Sequence, residues 1–162
     1  MHPPDAYHAA FGLISNRIGK TLSGISGHSL NSGESDRLIL ATKLEEQLVT
    51  LEGLVHRLTS QMLGQGADTR AGELGRNIME SINFMIMTAI DALQSQDEEE
   101  INTLEMLTGD RSEMMKRIRH NYFESEKDLS EQDRNFVLDI TILFENAVHT
   151  LGRYGHLLRT ST

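Results

Sequence analysis

The chain contains no cysteine. Disulfide bridges and thiolate metal sites are thereby excluded, and the composition fits a reducing compartment. Proline is nearly absent too: Pro3 and Pro4 are the only two, side by side at the start. The rest of the chain is free of obligatory helix breakers, and glycine does the punctuating. No long apolar run exists. The most apolar stretch, Ile78 to Leu93, is broken by Glu80, Asn83 and Asp91, so no direct membrane insertion is expected. A basic face is also missing. The net charge of −9, from 24 acidic and 15 basic residues, weighs against nucleic acid as a partner. The one basic cluster, Lys116-Arg117-Ile118-Arg119-His120, reads as a solvated face near a helix C-terminus, where cations complement the dipole. The opening Met1-His2-Pro3-Pro4-Asp5 has neither the basic segment nor the apolar segment of a secretory signal, and a cytoplasmic location is the expectation.

What the sequence does contain is apolar side chains at intervals of three and four. Its 162 residues suit a single domain, 1–162, large enough to bury a core without staples. Tyr7, Phe11, Ile14, Ile18, Leu22 and Ile25 line one face of a first helix within residues 1–26. Leu40, Leu44, Leu48, Leu51, Val55, Leu58 and Met62 form a heptad-like seam on a second, at 34–64, which Gly64-Gln65-Gly66 stops. A third, at 69–95, carries Leu74, Ile78, Ile82, Met85, Ala89 and Leu93, widened by Met79, Ile86 and Ile90. So wide a stripe predicts contact with more than one neighbour, and this helix is expected to be the most buried. A fourth spans 97–123, opened by Asp97 with Glu100 three residues on as a capping box, and locally weakened at Gly109-Asp110. Ser130, with Asp133 three residues on, opens a fifth at 130–159, whose inner face is Phe136 or Val137, Ile140, Phe144, Ala147, Leu151, Tyr154 and Leu158. No strand pattern competes. Long helices with short links predict an all-α, antiparallel bundle of about five helices.

Few residues suggest chemistry. Gly19-Lys20-Thr21 has neither the upstream glycine nor the preceding strand of a phosphate-binding loop. No glycine-flanked nucleophile follows a strand, and His8, His28, His120 and His156 stand unaccompanied, so no enzyme activity is expected. Glu52 with His56, and Glu145 with His149, are each one turn apart and share a helix face. The plain reading is a rim interaction worth a few tenths of a kcal/mol to each helix. The functional one is a divalent-metal or iron site between the second and fifth helices, built from Glu52, His56, Glu145 and His149. His120 with Glu124 repeats the spacing at a helix end. Of the methionines, most read as core filling, while Met87 and Met106 are expected to be exposed and to mark a partner groove.

Two stretches carry a family resemblance. Ser81-Ile82-Asn83-Phe84-Met85-Ile86-Met87-Thr88-Ala89-Ile90-Asp91-Ala92-Leu93-Gln94-Ser95-Gln96-Asp97 is one; Met114 to Tyr122 followed by Leu138-Asp139-Ile140-Thr141-Ile142-Leu143-Phe144-Glu145-Asn146-Ala147-Val148-His149 is the other. Over roughly half its length the chain resembles the PhoU-like helical-bundle family, and more narrowly the cytosolic C-terminal domain of bacterial sodium/phosphate cotransporters. That resemblance implies a non-enzymatic regulatory or accessory role in phosphate transport, through contacts with a membrane transporter or signalling protein at the cytoplasmic face of the membrane. It also implies metal binding through an acid followed by Asp one turn later. The matching positions here are Glu52 with His56 and Glu145 with His149, where histidine replaces the aspartate; Glu124 with Asp128, the strict pair, falls in a connection. The alternative reading is a generic helical protein–protein interaction module, or one that forms a homo-oligomer through its wide apolar stripes.

Overall fold

The computed structural model describes residues 3–64, 69–125 and 130–160. Its helices are α1 (Pro3–Ser26), α2 (Ser32–Leu63), α3 (Arg70–Ser95), α4 (Glu98–Leu107), α5 (Ser112–Ser125) and α6 (Glu131–Arg159). There is no strand among the described residues. The fold is the expected all-α bundle, with its fourth rod in two pieces.

The helix starts are chemically marked. Asn31 accepts from the Glu34 backbone N–H while the Glu34 carboxylate accepts from the Asn31 N–H, a reciprocal capping box. Thr69 caps α3 and Ser130 caps α6 in the same way from one side. Asp97 caps α4 by accepting from Glu99, not through the reciprocal bond to Glu100 expected from the sequence. Between α3 and α4 the chain reverses at Gln96, whose φ of 52° is left-handed.

The single helix expected over 97–123 is interrupted at Thr108–Arg111, and the reason is local. The Thr108 N–H turns back to the Leu104 and Met106 carbonyls, its hydroxyl donates to Leu104, and the Arg111 guanidinium donates to the Leu107 carbonyl. The free end of α4 is thus satisfied without continuing. Asp110 then accepts from the Ser112 N–H, and α5 begins.

The core is organised on α6, which touches α2, α3, α4 and α5. Val137, Ile140, Thr141, Leu151 and Ala147 are essentially inaccessible, and buried positions run around more than half of the helix. This corrects the expectation that the third helix is the most buried. α3 packs on α6 and α4 but only grazes α2, where Met62 lies over Gly75, so its outer flank leaves Phe84, Met87, Ile90 and Leu93 exposed. The α2 seam is real but drifts. Leu51, Leu54 and Leu58 are buried, Leu44, Val55 and Met62 pack at the edge, and Leu48 is turned outward with Gln47 in its place. The buried residues Gln47, Leu51, Leu54 and Leu58 are themselves spaced by four, three and four, so the covered stripe runs to the Gln47 side of the expected seam.

The first helix departs furthest from expectation. α1 is 24 residues long and buries none of them. It touches α2 alone, antiparallel, as the pairings of His8 with Glu52 and of Ser15 with Glu45 show. The face turned toward α2 carries His8 and Ser15. Of the expected apolar stripe, Phe11 and Leu22 are half-buried on that same face, while Tyr7, Ile14, Ile18 and Ile25 lie to one side and are exposed.

Candidate functional site

Opposite its buried face, α6 presents Asp139, Ile142, Asn146, His149, Arg153 and His156, recurring by threes and fours and all exposed. They form the floor of a groove. One wall is α2, the other is the α4–α5 junction. A hollow of about 600 Å³ lies between the second half of α2 and the first half of α6, with His56, Arg57 and Asp139 among its walls. One of about 480 Å³ lies toward the C-terminal end of α6, between Lys43, Glu46 and Gln47 of α2, Thr108, and His149, Arg153 and His156. A third, of about 410 Å³, sits over the junction beside Asp110, Arg111 and Glu145. Asn146 joins the first to the third and His149 the third to the second, so the groove is continuous. Hydrogen bonds from the Ser112 backbone and hydroxyl hold the Asp110 carboxyl below its usual range. Burial pushes the Tyr154 phenol up.

The four residues expected to share a metal are distributed among different partners. Glu52 takes the His8 Nδ1–H on both of its oxygens, at 2.9 and 2.8 Å, and so belongs to the α1–α2 seam. His56 stacks on the His8 ring with centroids 4.2 Å apart and planes 13° from parallel, and its Nε2 lies 3.8 Å from Asp5. Its Nδ1 is buried without a hydrogen-bond partner. Glu145 faces α5 instead, where Arg119 donates to it at 3.2 Å and to the Thr141 hydroxyl at 3.1 Å. His149 stands in the groove between the second and third hollows. The structure therefore brings Glu52 and His56 together on one seam and leaves Glu145 and His149 on another. No three His, Asp or Glu side chains among the described residues are placed to hold one metal ion. Asp128, of the strict acidic pair, lies outside the described residues. His120 and Glu124 pair at 3.3 Å on an exposed surface. Among the described residues no histidine bonds a serine or threonine hydroxyl, the pairing that activates such a nucleophile.

Sequence reasoning passed over three of these residues. His8 is accompanied after all, but its partners are 44 positions away or more, and no local pattern could reveal them. Arg119 belongs to a cluster read as solvated, yet its side chain is only 18% exposed and ties α5 to α6. Its one signal was the position of Ile118 and Tyr122 on the same helix, which places residue 119 at the rim. Gln47 interrupts the apolar seam of α2 and is buried there. Met87 and Met106 are exposed as expected, and Met85 and Met115 are in the core.

No family model, curated protein or solved structure matches the chain.

Proposed function

We propose that the chain is a non-enzymatic regulatory or accessory bundle of PhoU-like type, acting by laying a helical face against a membrane transporter or signalling protein of a phosphate-transport system at the cytoplasmic face. One observation carries the docking part of this reading: α1 spends 24 residues on a helix that buries nothing, while Tyr7, Leu13 and Ile14 are 76, 75 and 61% exposed. A row of large apolar side chains on an accessible helix is what a partner helix uses as anchors. The stretches that carry the resemblance support the family part, since they fall on α3 with its step into α4, on α5, and on the packed half of α6. Among the described residues no helix is long and apolar enough to cross a membrane, and the reading leaves the chain either part of a transporter or beside one.

The test is genetic and biochemical together. A strain lacking the chain should show altered phosphate uptake or signalling, and the chain should copurify with a phosphate-transport component. Restoring it with Ile14→Glu and Ile18→Glu together should leave the bundle folded yet fail to restore either property. Unchanged uptake and signalling in the deletion strain contradict the proposal. The second reading, a homodimer, is favoured by the same stripe, because a helix with apolar residues at 7, 14, 18 and 25 presents a self-complementary seam. Sedimentation at rising concentration separates the two: a strict monomer removes the dimer reading and leaves the first untouched.

A further inference from the structure

The groove on α6 is not electrically neutral along its length. In a chain of net charge −9, the 480 Å³ hollow gathers Lys43, Arg153, His149 and His156 around a single carboxylate, Glu46. The two permanent cations have no carboxylate partner among the described residues. By contrast, Arg119 and Arg159 on neighbouring surfaces are each committed to an acid. Of the acids in the adjoining hollow, Glu145 is engaged with Arg119 and Asp110 with Ser112, which leaves Glu46 as the carboxylate of this one. Unpaired cations converging on one concavity raise the local concentration of anions there.

The wall of the same hollow supplies a second, independent observation. Gln47 is only 7% exposed, lines the hollow, and among the described residues has no hydrogen-bond partner for its amide. Its amide atoms are reachable from the hollow, since among the described residues only His56 Nδ1 is a sealed side-chain polar atom without a partner, so a ligand in the hollow can hydrogen-bond to them. At the end of α4 the Leu104 and Met106 carbonyls accept from Thr108 and the Leu107 carbonyl from Arg111, while the Thr108 carbonyl lies beside Gly152. Gly152 adds no side chain to the floor.

From this we infer that the hollow between Lys43, Gln47 and Arg153 is a binding site for a small oxyanion carrying two or more negative charges. Lys43 and Arg153 neutralise it, the Gln47 amide donates to one oxygen, and His149 and His156 add donors at the rim. The volume lies within the usual range for a small-ligand pocket and exceeds one bare tetrahedral anion, so it accommodates a diphosphate or a tricarboxylate. The inference does not rest on the identity of the protein partner proposed above.

Calorimetric titration of the full chain at constant ionic strength tests it, with inorganic phosphate, pyrophosphate and citrate as separate probes. Pyrophosphate or citrate should bind saturably at one site per chain, more tightly than phosphate. Lys43→Gln and Arg153→Gln should each weaken the binding by about tenfold, since each removes a charge-assisted contact. Gln47→Leu should weaken it less. Lys116→Gln, which removes an exposed lysine on α5, should leave it unchanged. Circular dichroism confirms that every variant is folded before it is titrated. The inference is overturned if no probe gives saturable heat, or if Lys116→Gln weakens binding as much as Lys43→Gln does. Preference among the probes then identifies phosphoryl or carboxylate chemistry, while failure of the phosphate-transport reading leaves this result unaffected.

Discussion

Replacing Gly155 by alanine should fail to stabilise the protein, whereas the same replacement at Gly53 should succeed. Both glycines lie inside long helices, where alanine is favoured over glycine by about 1 kcal/mol. A Cβ at Gly53 meets nothing within 4 Å, so the whole gain of about 1 kcal/mol is realised there. At Gly155 the new carbon would lie 3.1 Å from Leu104 Cδ2 and 3.4 Å from Cγ. Leu104 is 0% exposed and held between α4 and α6, so it cannot swing aside. Overpacking of this kind costs about 1–3 kcal/mol, which cancels the propensity gain or exceeds it by up to about 2 kcal/mol. The two variants should therefore differ by about 1–3 kcal/mol. Urea unfolding followed by far-UV ellipticity measures this directly, with thermal midpoints separated by several degrees in the same order. Equal stabilisation of both variants would refute the close approach of α4 to α6 and, with it, the position of the α4–α5 junction over the groove.

Three other perturbations bear on the same packing. Leu58→Ala should cost about 2–5 kcal/mol because it empties a position that is 1% exposed, while Leu48→Ala should cost no more than about 0.5 kcal/mol; chemical unfolding of the two reads whether the α2 seam has drifted as described. Arg119→Lys should lower stability by about 1 kcal/mol although charge is kept, because one ammonium cannot reproduce the forked contact to Thr141 and Glu145, and amide exchange should show α5 loosening first. Asn31→Ala should lower the unfolding free energy by about 0.5–2 kcal/mol and fray the first turn of α2, visible as lost amide protection at Ser35 and its neighbours.

The legible part of this molecule is the part governed by helical period. Ile140, Phe144, Ala147, Leu151, Tyr154 and Leu158 could be named in advance, with Phe136 or Val137 before them where the structure buries both, because a helix surrounded by others must be apolar over most of its circumference. Period alone could not say which of two wide stripes lies at the centre. α3 and α6 read alike, and only the packing shows that α6 has four neighbours. Nor could period distinguish a stripe that finds a cover from one that does not, and α1 has the same spacing as a buried helix. The break at Thr108–Arg111 was visible as Gly109-Asp110, but its completeness depends on side chains returning to the α4 carbonyls. The groove was least legible. Lys43, Gln47, Arg153 and His156 come from two helices more than a hundred residues apart in sequence at their extremes, and within each helix they look like ordinary solvated positions. Spacing drew attention to Glu52, His56, Glu145 and His149 instead, and spacing cannot foresee that His8 and Arg119 claim the two glutamates.

Hydrogen exchange, resolved by helix in a dilute sample, bears most directly on the claim that the bundle is built on α6 with α1 laid outside it. Amides of α6 between Ile140 and Leu151 should be the slowest to exchange, opening only with global unfolding, and those of α1 should exchange by local opening, faster by about two orders of magnitude or more. Protection of α1 equal to that of α6 under those conditions would contradict it.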